Sequence, residues 1–384
     1  MSSGTLEKPK PKEQVIATQK PSKRLLSSAI LAIGLFMTIN MGISLFSNKK
    51  ITGGDQSAVA EASQTAIDQY QSLSQAPDIA LIGSSLMMAP VWSLDNKKFP
   101  QTADIYHHHR SLTLEQNLAK VTGHKQAVFS FGLPGLMVSD AFLLNRKLLS
   151  KSKHPQTIVI GVAPRDFMDD LLTGETRTAI FQQLMTLDDL PEIGDLYLNS
   201  WTEKADFILN NSFYLYGKRF RYQDKLSQIY KRALRTLHLE TEQTAQASGA
   251  GNDFLQGQNR ALIWSKSIEE YKARYKHFNE KQFSKQSLFL VELVKAATAN
   301  NIKVVLVNMP LTQDNLAAMP KELYPRFSNY VQDTANRYGC KLINMQANNT
   351  FSDNEFYDTV HLNAKGGEHF LKILTQELTS SAPN

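Results

Sequence analysis

The order of apolar and polar positions divides the chain before any residue is considered for chemistry. A polar start bearing lysines and prolines gives way at Leu25 to an apolar run that reaches Phe46 without a charged side chain. Residues 51–76 are rich in Gly, Ala, Ser and Gln and read as a stalk, partly helical from about Ala58 to Leu73. From Ile79 onward, short and largely apolar runs alternate with longer segments of helical period. Strands are predicted at Ile79–Ile82, Ala127–Phe131 and Thr157–Val162, with helices at Leu112–Val121 and Leu136–Leu149 between them. A short run that is apolar on both faces suits a strand buried in a parallel sheet, and the helices supply the crossovers.

From Leu171 to about Glu280 the strand signal lapses into helical, aromatic and charged segments, including Phe213-Tyr214-Leu215-Tyr216 and Lys218-Arg219-Phe220-Arg221-Tyr222. Ser248-Gly249-Ala250-Gly251-Asn252-Asp253 reads as a flexible loop within it. This insertion, residues 171–280, is either a cap on the sheet or a larger helical layer. The alternation then resumes with a helix at Gln282–Ala297, a strand at Lys303–Val307, a helix around Tyr324–Tyr338, a strand at Lys341–Asn344 and a last helix at Ala364–Leu378. The expected fold class is α/β, a parallel sheet with helices on both faces spanning 77–384, interrupted by the helical insertion and preceded by a transmembrane helix.

Charge decides how the first 50 residues are read. Of the formal net charge of +6, four charges fall in the first 24 residues, where Lys8, Lys10, Lys12, Lys20, Lys23 and Arg24 stand against Glu7 and Glu13. That tail, carrying Pro9, Pro11 and Pro21, is expected to be disordered. The remainder is nearly balanced and has no basic stripe with interleaved aromatics, so nucleic acid is not an expected partner. Leu25–Phe46 is long enough to span hydrocarbon as one helix. The tail outweighs Lys49 and Lys50, which places the N-terminus in the cytoplasm and the rest of the chain on the far side of the membrane. Ala58-Val59-Ala60 has the form of a signal-peptidase site, so a cleaved export signal is the rival reading. The length of the apolar run and the intervening lysines favour a retained anchor. Cys340 is the single cysteine and has no intramolecular partner.

Residues with the makings of a reaction centre are few. Ser85 follows the first strand through Gly83-Ser84, and Asp358 and His361 lie three apart just before the last helix. In an open parallel sheet the carboxyl ends of the strands form the ligand crevice, so a hydroxyl at that turn is accessible. A carboxylate three residues from an imidazole can accept from Nδ1 while Nε2 faces a serine, the arrangement of a nucleophile, its base and the group orienting the base. Asn308, at the end of the fourth strand, either binds substrate or satisfies turn backbone. His107-His108-His109-Arg110 lacks partners at ligand spacing, so a surface or substrate-side loop is preferred to a metal site, and neither metal nor cofactor is expected. Met87, Met88 and Trp92 are assigned to core packing rather than to a pocket.

Together these residues resemble the blocks of the SGNH/GDSL hydrolase superfamily. Gly83-Ser84-Ser85-Leu86 is similar to the first block with Ser84 in place of Asp, which makes Ser85 the nucleophile. Ser130-Phe131-Gly132-Leu133-Pro134-Gly135 resembles the second, whose glycine N–H completes an oxyanion hole with that of Ser85; Gly135 is the better match and Gly132 the alternative. Asp358-Thr359-Val360-His361 resembles the last. Where the family carries Gly-x-Asn-Asp, this chain has Gly161-Val162-Ala163-Pro164-Arg165-Asp166, so Arg165 stands in place of an oxyanion-binding Asn. Its guanidinium either binds an oxyanion or an anionic acceptor, or pairs structurally with Asp166. The resemblance covers roughly residues 77–170 and 282–380 and is nearest to the membrane-anchored group that includes alginate O-acetyltransferases and the D-alanine transfer protein of teichoic-acid modification. It implies a flavodoxin-like fold and a serine acyltransferase or esterase acting on an extracytoplasmic, in bacteria periplasmic, glycan. The implied partners are the membrane and a membrane-embedded acyl donor. The rival is an inactive scaffold that binds glycan or partner proteins during envelope assembly.

Overall fold

The apolar runs pair as buried strands. In the computed structural model, which describes residues 23–46, 58–151, 154–172, 174–213, 216, 259–347 and 350–380, they form a single five-stranded parallel sheet. Its strands are β1 Ile79–Gly83, β2 Val128–Gly132, β3 Thr157–Val162, β4 Lys303–Asn308 and β5 Lys341–Asn344, in the order β2-β1-β3-β4-β5. Ile79 lies level with Val128 on one side and Thr157 on the other. Ala80, Leu81 and Ile82 are fully enclosed. Each large side chain so buried stabilises the fold by about 1.5–3 kcal/mol. This is the flavodoxin-like order. The chain leaves β1 in one direction to β2 and returns past it to β3, so a crevice opens at the carboxyl ends of β1 and β3.

Two helical layers cover the sheet. Preceding it are α1 Lys23–Phe46 and α2 Ala58–Ser72, followed by α3 Ser85–Lys98, α4 Leu112–Thr122 and α5 Val138–Leu144. Then come the short α6 Pro164–Phe167 and the insertion helices α7 Ala179–Leu184, α8 Leu190–Tyr197, α9 Trp201–Ser212 and α10 Arg260–Arg274. The C-terminal half adds α11 Glu280–Ala299, α12 Gln313–Ala317, α13 Leu323–Tyr338 and α14 Ala364–Thr379. α3, α4 and α14 pack on one another, and α5 and α13 pack on α11. The buried stripe of α11, Leu290, Leu293, Val294 and Ala297, has the i, i+3, i+4, i+7 spacing that turns one helix face to a core.

Element ends differ from the sequence reading where local chemistry intervenes. The helix expected from Leu136 starts at Val138, because the Asp140 carboxylate accepts the Met137 N–H at 3.0 Å and Gly135 turns the chain at φ +74°. Asn145–Leu149 winds as a π-helical turn rather than as continued α-helix. The expected stalk is helical where the sequence indicated, from Ala58, but that helix packs onto the fold. From Ala58 it is α2, with Ala62, Ala66, Ile67 and Tyr70 buried and Tyr70 edge-on to Phe129, ring centroids 5.2 Å apart. Alanines that make a segment look like a linker also let a helix lie close against a sheet edge.

The insertion is tied to the C-terminal half of the chain at several points. α10 donates from Trp264 Nε1 to Asp314 Oδ2 at 2.7 Å and from Arg260 Nη2 to the Asp353 carbonyl at 2.6 Å. Lys285 pairs with Glu175. The loop Ser248–Asp253, the segment Lys218–Tyr222 and the basic tail up to residue 22 lie outside the described residues. α1 takes in the apolar run, and its Ile30, Leu31, Ile33, Leu35, Phe36, Met37 and Ile39 are exposed. Among the described residues no helix is long and apolar enough to cross a membrane.

Candidate active site

Glycine brings the ends of β1 and β3 together. A Cβ on Gly83 would lie 2.7 Å from the Met87 Cβ and 3.1 Å from the Gly161 carbonyl oxygen, closer than side chains tolerate. The chain then turns at Ser84 and enters α3 with Ser85, half-buried, as its first residue. A first helical residue has no intrahelical acceptor for its N–H, and the positive end of the helix dipole lies there as well.

His361 comes to this hydroxyl from the other end of the sequence. Its Nε2 is 2.9 Å from Ser85 Oγ, and its Nδ1 is 2.7 Å from Asp358 Oδ2. Asp358 Oδ1 accepts the backbone N–H groups of Val360 and His361, each at 2.8 Å, so the turn holds the carboxylate in place. Burial pushes the Asp358 carboxyl upward, but the His361 charge and these hydrogen bonds outweigh it and leave it below the ordinary carboxylate value. An ionised carboxylate at this place favours a proton on Nδ1, which leaves Nε2 as the ring nitrogen facing the Ser85 hydroxyl. The turn is braced from outside. Thr359 Oγ1 lies 2.6 Å from Ser267 Oγ of α10, and the Thr359 carbonyl accepts the Thr312 hydroxyl at 2.8 Å. Asn363 Nδ2 donates back to the Asn354 and Phe356 carbonyls.

Of the two glycines resembling the second block, the geometry favours one. The Gly132 N–H is already given to Ser130 Oγ at 3.2 Å, and a Cβ there would press on the Met88 backbone. Gly135, in a left-handed turn after β2, borders Arg165, whose Nη2 would be 3.9 Å from a Cβ at that position. Arg165 is buried at the end of β3, with Nε 3.3 Å from Asp169 Oδ2 and Nη1 3.6 Å from Asp166 Oδ1. Asn308 is turned elsewhere. Its amide donates to Tyr324 at 3.0 Å and to Asn344 at 2.9 Å, so both donors are committed to structure near β5.

The histidine run, expected on a surface or substrate-side loop, is only partly so: His107 is half-buried and pairs with Asp104, while the next two are taken up by packing. His108 Nε2 lies 2.9 Å from the enclosed Asp95, which also caps α4 through the Leu112 and Thr113 N–H groups. His109 is stacked on Phe129, and burial pushes it down to about 4. Among the described residues no cluster of His, Cys, Asp and Glu has the form of a metal site. Met87, Met88 and Trp92 are buried.

Two residues that sequence reasoning passed over also reach the site. Tyr271 and Ser267, four apart and so on one face of α10, are buried. Tyr271 feels the charges of both Arg165 and Asp358, and burial raises its phenol. Their spacing was a readable signal, but nothing along the insertion indicated which strand ends that face would meet.

Two buried carboxylates beside the crevice make stability depend on pH. Burial pushes Asp140 up to about 7, against the Met137 and Thr178 hydrogen bonds and the Arg165 charge. It also pushes Asp166 up to about 6, opposed first by the Arg165 charge. Both bind a proton more tightly folded than unfolded, so their contribution is complete below the ordinary value of 3.8 and is lost as pH rises through 6 to 7. Asp358, lowered, acts only at more acidic pH, where its contribution is lost as its carboxylate protonates. The unfolding free energy from urea titrations should therefore fall between about pH 4 and pH 7, and Asp140→Asn should flatten part of that fall. Equal slopes for the two proteins would contradict the assignment.

A family model described as "Protein of unknown function (DUF1574)" matches residues 110–378, a stretch that begins after Ser85 and takes in Asp358 and His361. No curated protein matches the chain. Among solved structures, the chain is similar to the crystal structure of an acetyl xylan esterase, AlAXEase, at 14% identity and a TM-score of 0.36, with 77% of this chain and 96% of the other covered.

Proposed function

From the premise that the chain belongs to this DUF1574 family, we propose that it is a serine-dependent esterase or acyltransferase, with Ser85 as nucleophile, His361 as general base and acid, and Asp358 orienting the imidazole. The observation that carries the reading is the unbroken relay from Ser85 Oγ through the two ring nitrogens of His361 to Asp358, at 2.9 and 2.7 Å. His361 takes the hydroxyl proton as Ser85 attacks an ester carbonyl, then returns it to the departing alkoxide. The N–H groups of Ser85 and Gly135 face the oxygen that becomes negative. The resulting acyl-serine is resolved by water or by a sugar hydroxyl, and that choice separates hydrolysis from transfer.

The finer reading is transfer to an extracytoplasmic polysaccharide by a membrane-anchored, SGNH-like enzyme. It is supported by the uncharged run Leu25–Phe46, by the basic tail before it and by the motif resemblance. In this reading a membrane partner supplies the acyl group. Incubating the purified protein with an acetyl ester, with and without soluble acidic or neutral polysaccharide, separates the outcomes. Acetylated polymer formed at the expense of free acetate supports transfer, whereas acetate release indifferent to every polymer leaves an esterase. The anchor is tested by fractionation: wild type should pellet with membranes and resist extraction by carbonate, and a chain starting at residue 58 should not.

A further inference from the structure

Thr359 stands between the orienting carboxylate and the base in Asp358-Thr359-Val360-His361, and each of its polar groups is engaged by residues outside that turn. It is fully buried. Its Oγ1 lies 2.6 Å from Ser267 Oγ and accepts from Asn315 Nδ2 at 3.4 Å. Its N–H donates to Ser267 Oγ at 3.4 Å, and its carbonyl accepts the Thr312 hydroxyl at 2.8 Å and the Thr312 N–H at 3.3 Å. Ser267, Thr312 and Asn315 are buried as well, so bulk water is kept from these bonds.

The bonds inside the turn have a different effect. Asp358 Oδ1 takes the Val360 and His361 N–H groups, and the Tyr357 N–H donates to the His361 carbonyl at 2.7 Å. These fix Asp358 relative to His361, yet they reach no other element, so they do not by themselves fix the pair relative to Ser85. Thr359 supplies that link. Thr312 and Asn315 follow β4, and Ser267 belongs to α10 of the insertion. Trp264, Ser267 and Tyr271, at i, i+3 and i+7, share one face of α10. That helix is anchored on either side of the turn, by Trp264 on Asp314 and by Arg260 on the Asp353 carbonyl.

We propose that Ser267 and Thr359 are positioning residues that hold the Asp358–His361 unit at reaction distance from Ser85, which makes the helical insertion a working part of the reaction centre rather than a cover over it. This rests on the serine-enzyme reading above. Both hydroxyls act through the backbone: a displacement of Thr359 carries His361 Nε2 away from Ser85 Oγ while the bond between Asp358 and His361 survives. A misplacement of about 1 Å can cost about 10²-fold in rate. Buried hydroxyls bonded to each other have nothing to offer an ester, so the loss falls on kcat and not on KM. A pair that served packing alone would lower stability and leave the kcat of the folded protein unchanged.

The test uses the full chain and p-nitrophenyl acetate at a temperature well below unfolding, comparing wild type with Ser267→Ala, Thr359→Val, the double variant and Thr359→Ser. Ser267→Ala and Thr359→Val should each lower kcat about 10- to 100-fold, with KM within about twofold of wild type. The rate of inactivation by a fluorophosphonate should fall in step, since it draws on the same activated hydroxyl. Thr359→Ser, which keeps the hydroxyl, should hold kcat within about threefold of wild type. The double variant should lose no more than the worse single, because both changes remove one contact. If Thr359→Val does not fold, Ser267→Ala decides the matter. Wild-type kcat in folded Ser267→Ala, with only the melting temperature lowered, overturns the proposal, as does a loss confined to KM. A wild-type protein that neither turns over the ester nor reacts with a fluorophosphonate overturns the serine-enzyme reading itself, and this proposal with it.

Discussion

Replacing Ser85 by alanine should lower ester turnover by at least about 10⁴-fold while leaving the melting temperature near that of wild type. The hydroxyl is half-buried and the substitution removes little beyond its hydrogen bond to His361, so stability should barely change. His361→Ala should cost a similar factor, because nucleophile and base act as a unit and their losses do not add. Asp358→Asn should also be severe, since an amide at that position no longer holds Nδ1 as the protonated nitrogen. Turnover in Ser85→Ala within about tenfold of wild type would place the chemistry elsewhere.

The second large effect is on stability and runs against helix propensity. An exposed glycine inside a helix is ordinarily improved by alanine, by about 1 kcal/mol. At the start of α14 the sign should reverse. A Cβ on Gly366 would collide with the Glu355 carbonyl oxygen and come within 2.7 Å of Leu362, and one on Gly367 would collide with the Pro90 carbonyl of α3. Both obstacles include backbone, which cannot rotate away. Gly366→Ala and Gly367→Ala should each destabilise by about 1–3 kcal/mol or more in urea titrations. Gly366→Ala should also slow turnover, because the displaced backbone belongs to the turn that carries Asp358 and His361. A change within about 0.5 kcal/mol of wild type would show that the helix shifts freely and that the close packing is unimportant.

The sheet was readable because a strand enclosed on both faces is apolar at every position, and Ile79–Ile82 and Thr157–Val162 have few other uses. Ser85 was readable for a related reason, since a small polar residue directly after such a run marks the crevice end of a parallel sheet, and Asp358 and His361 were readable from their spacing of three just before the last helix. What remained hidden depends on tertiary contacts. Ala62 and Ala66 look like linker residues until a sheet edge lies against them. Ser267 bonds to Thr359 across 92 positions, a separation that local periodicity does not encode. Asn308 sits at a strand end as the sequence indicated, yet Tyr324 and Asn344 claim its amide. Gly135 was the better match to the second block from the sequence alone, and what the sequence did not show is that the Gly132 N–H is given to Ser130 Oγ.

The most direct test of the central claim is reaction of the intact protein with a fluorophosphonate at neutral pH, followed by peptide mass mapping. A serine activated by His361 should form one stoichiometric adduct on the peptide containing Ser85, absent from Ser85→Ala and strongly slowed in His361→Ala. An unmodified folded protein, or an adduct that persists in Ser85→Ala, would contradict the account and leave the arrangement at the ends of β1 and β3 as that of a binding scaffold.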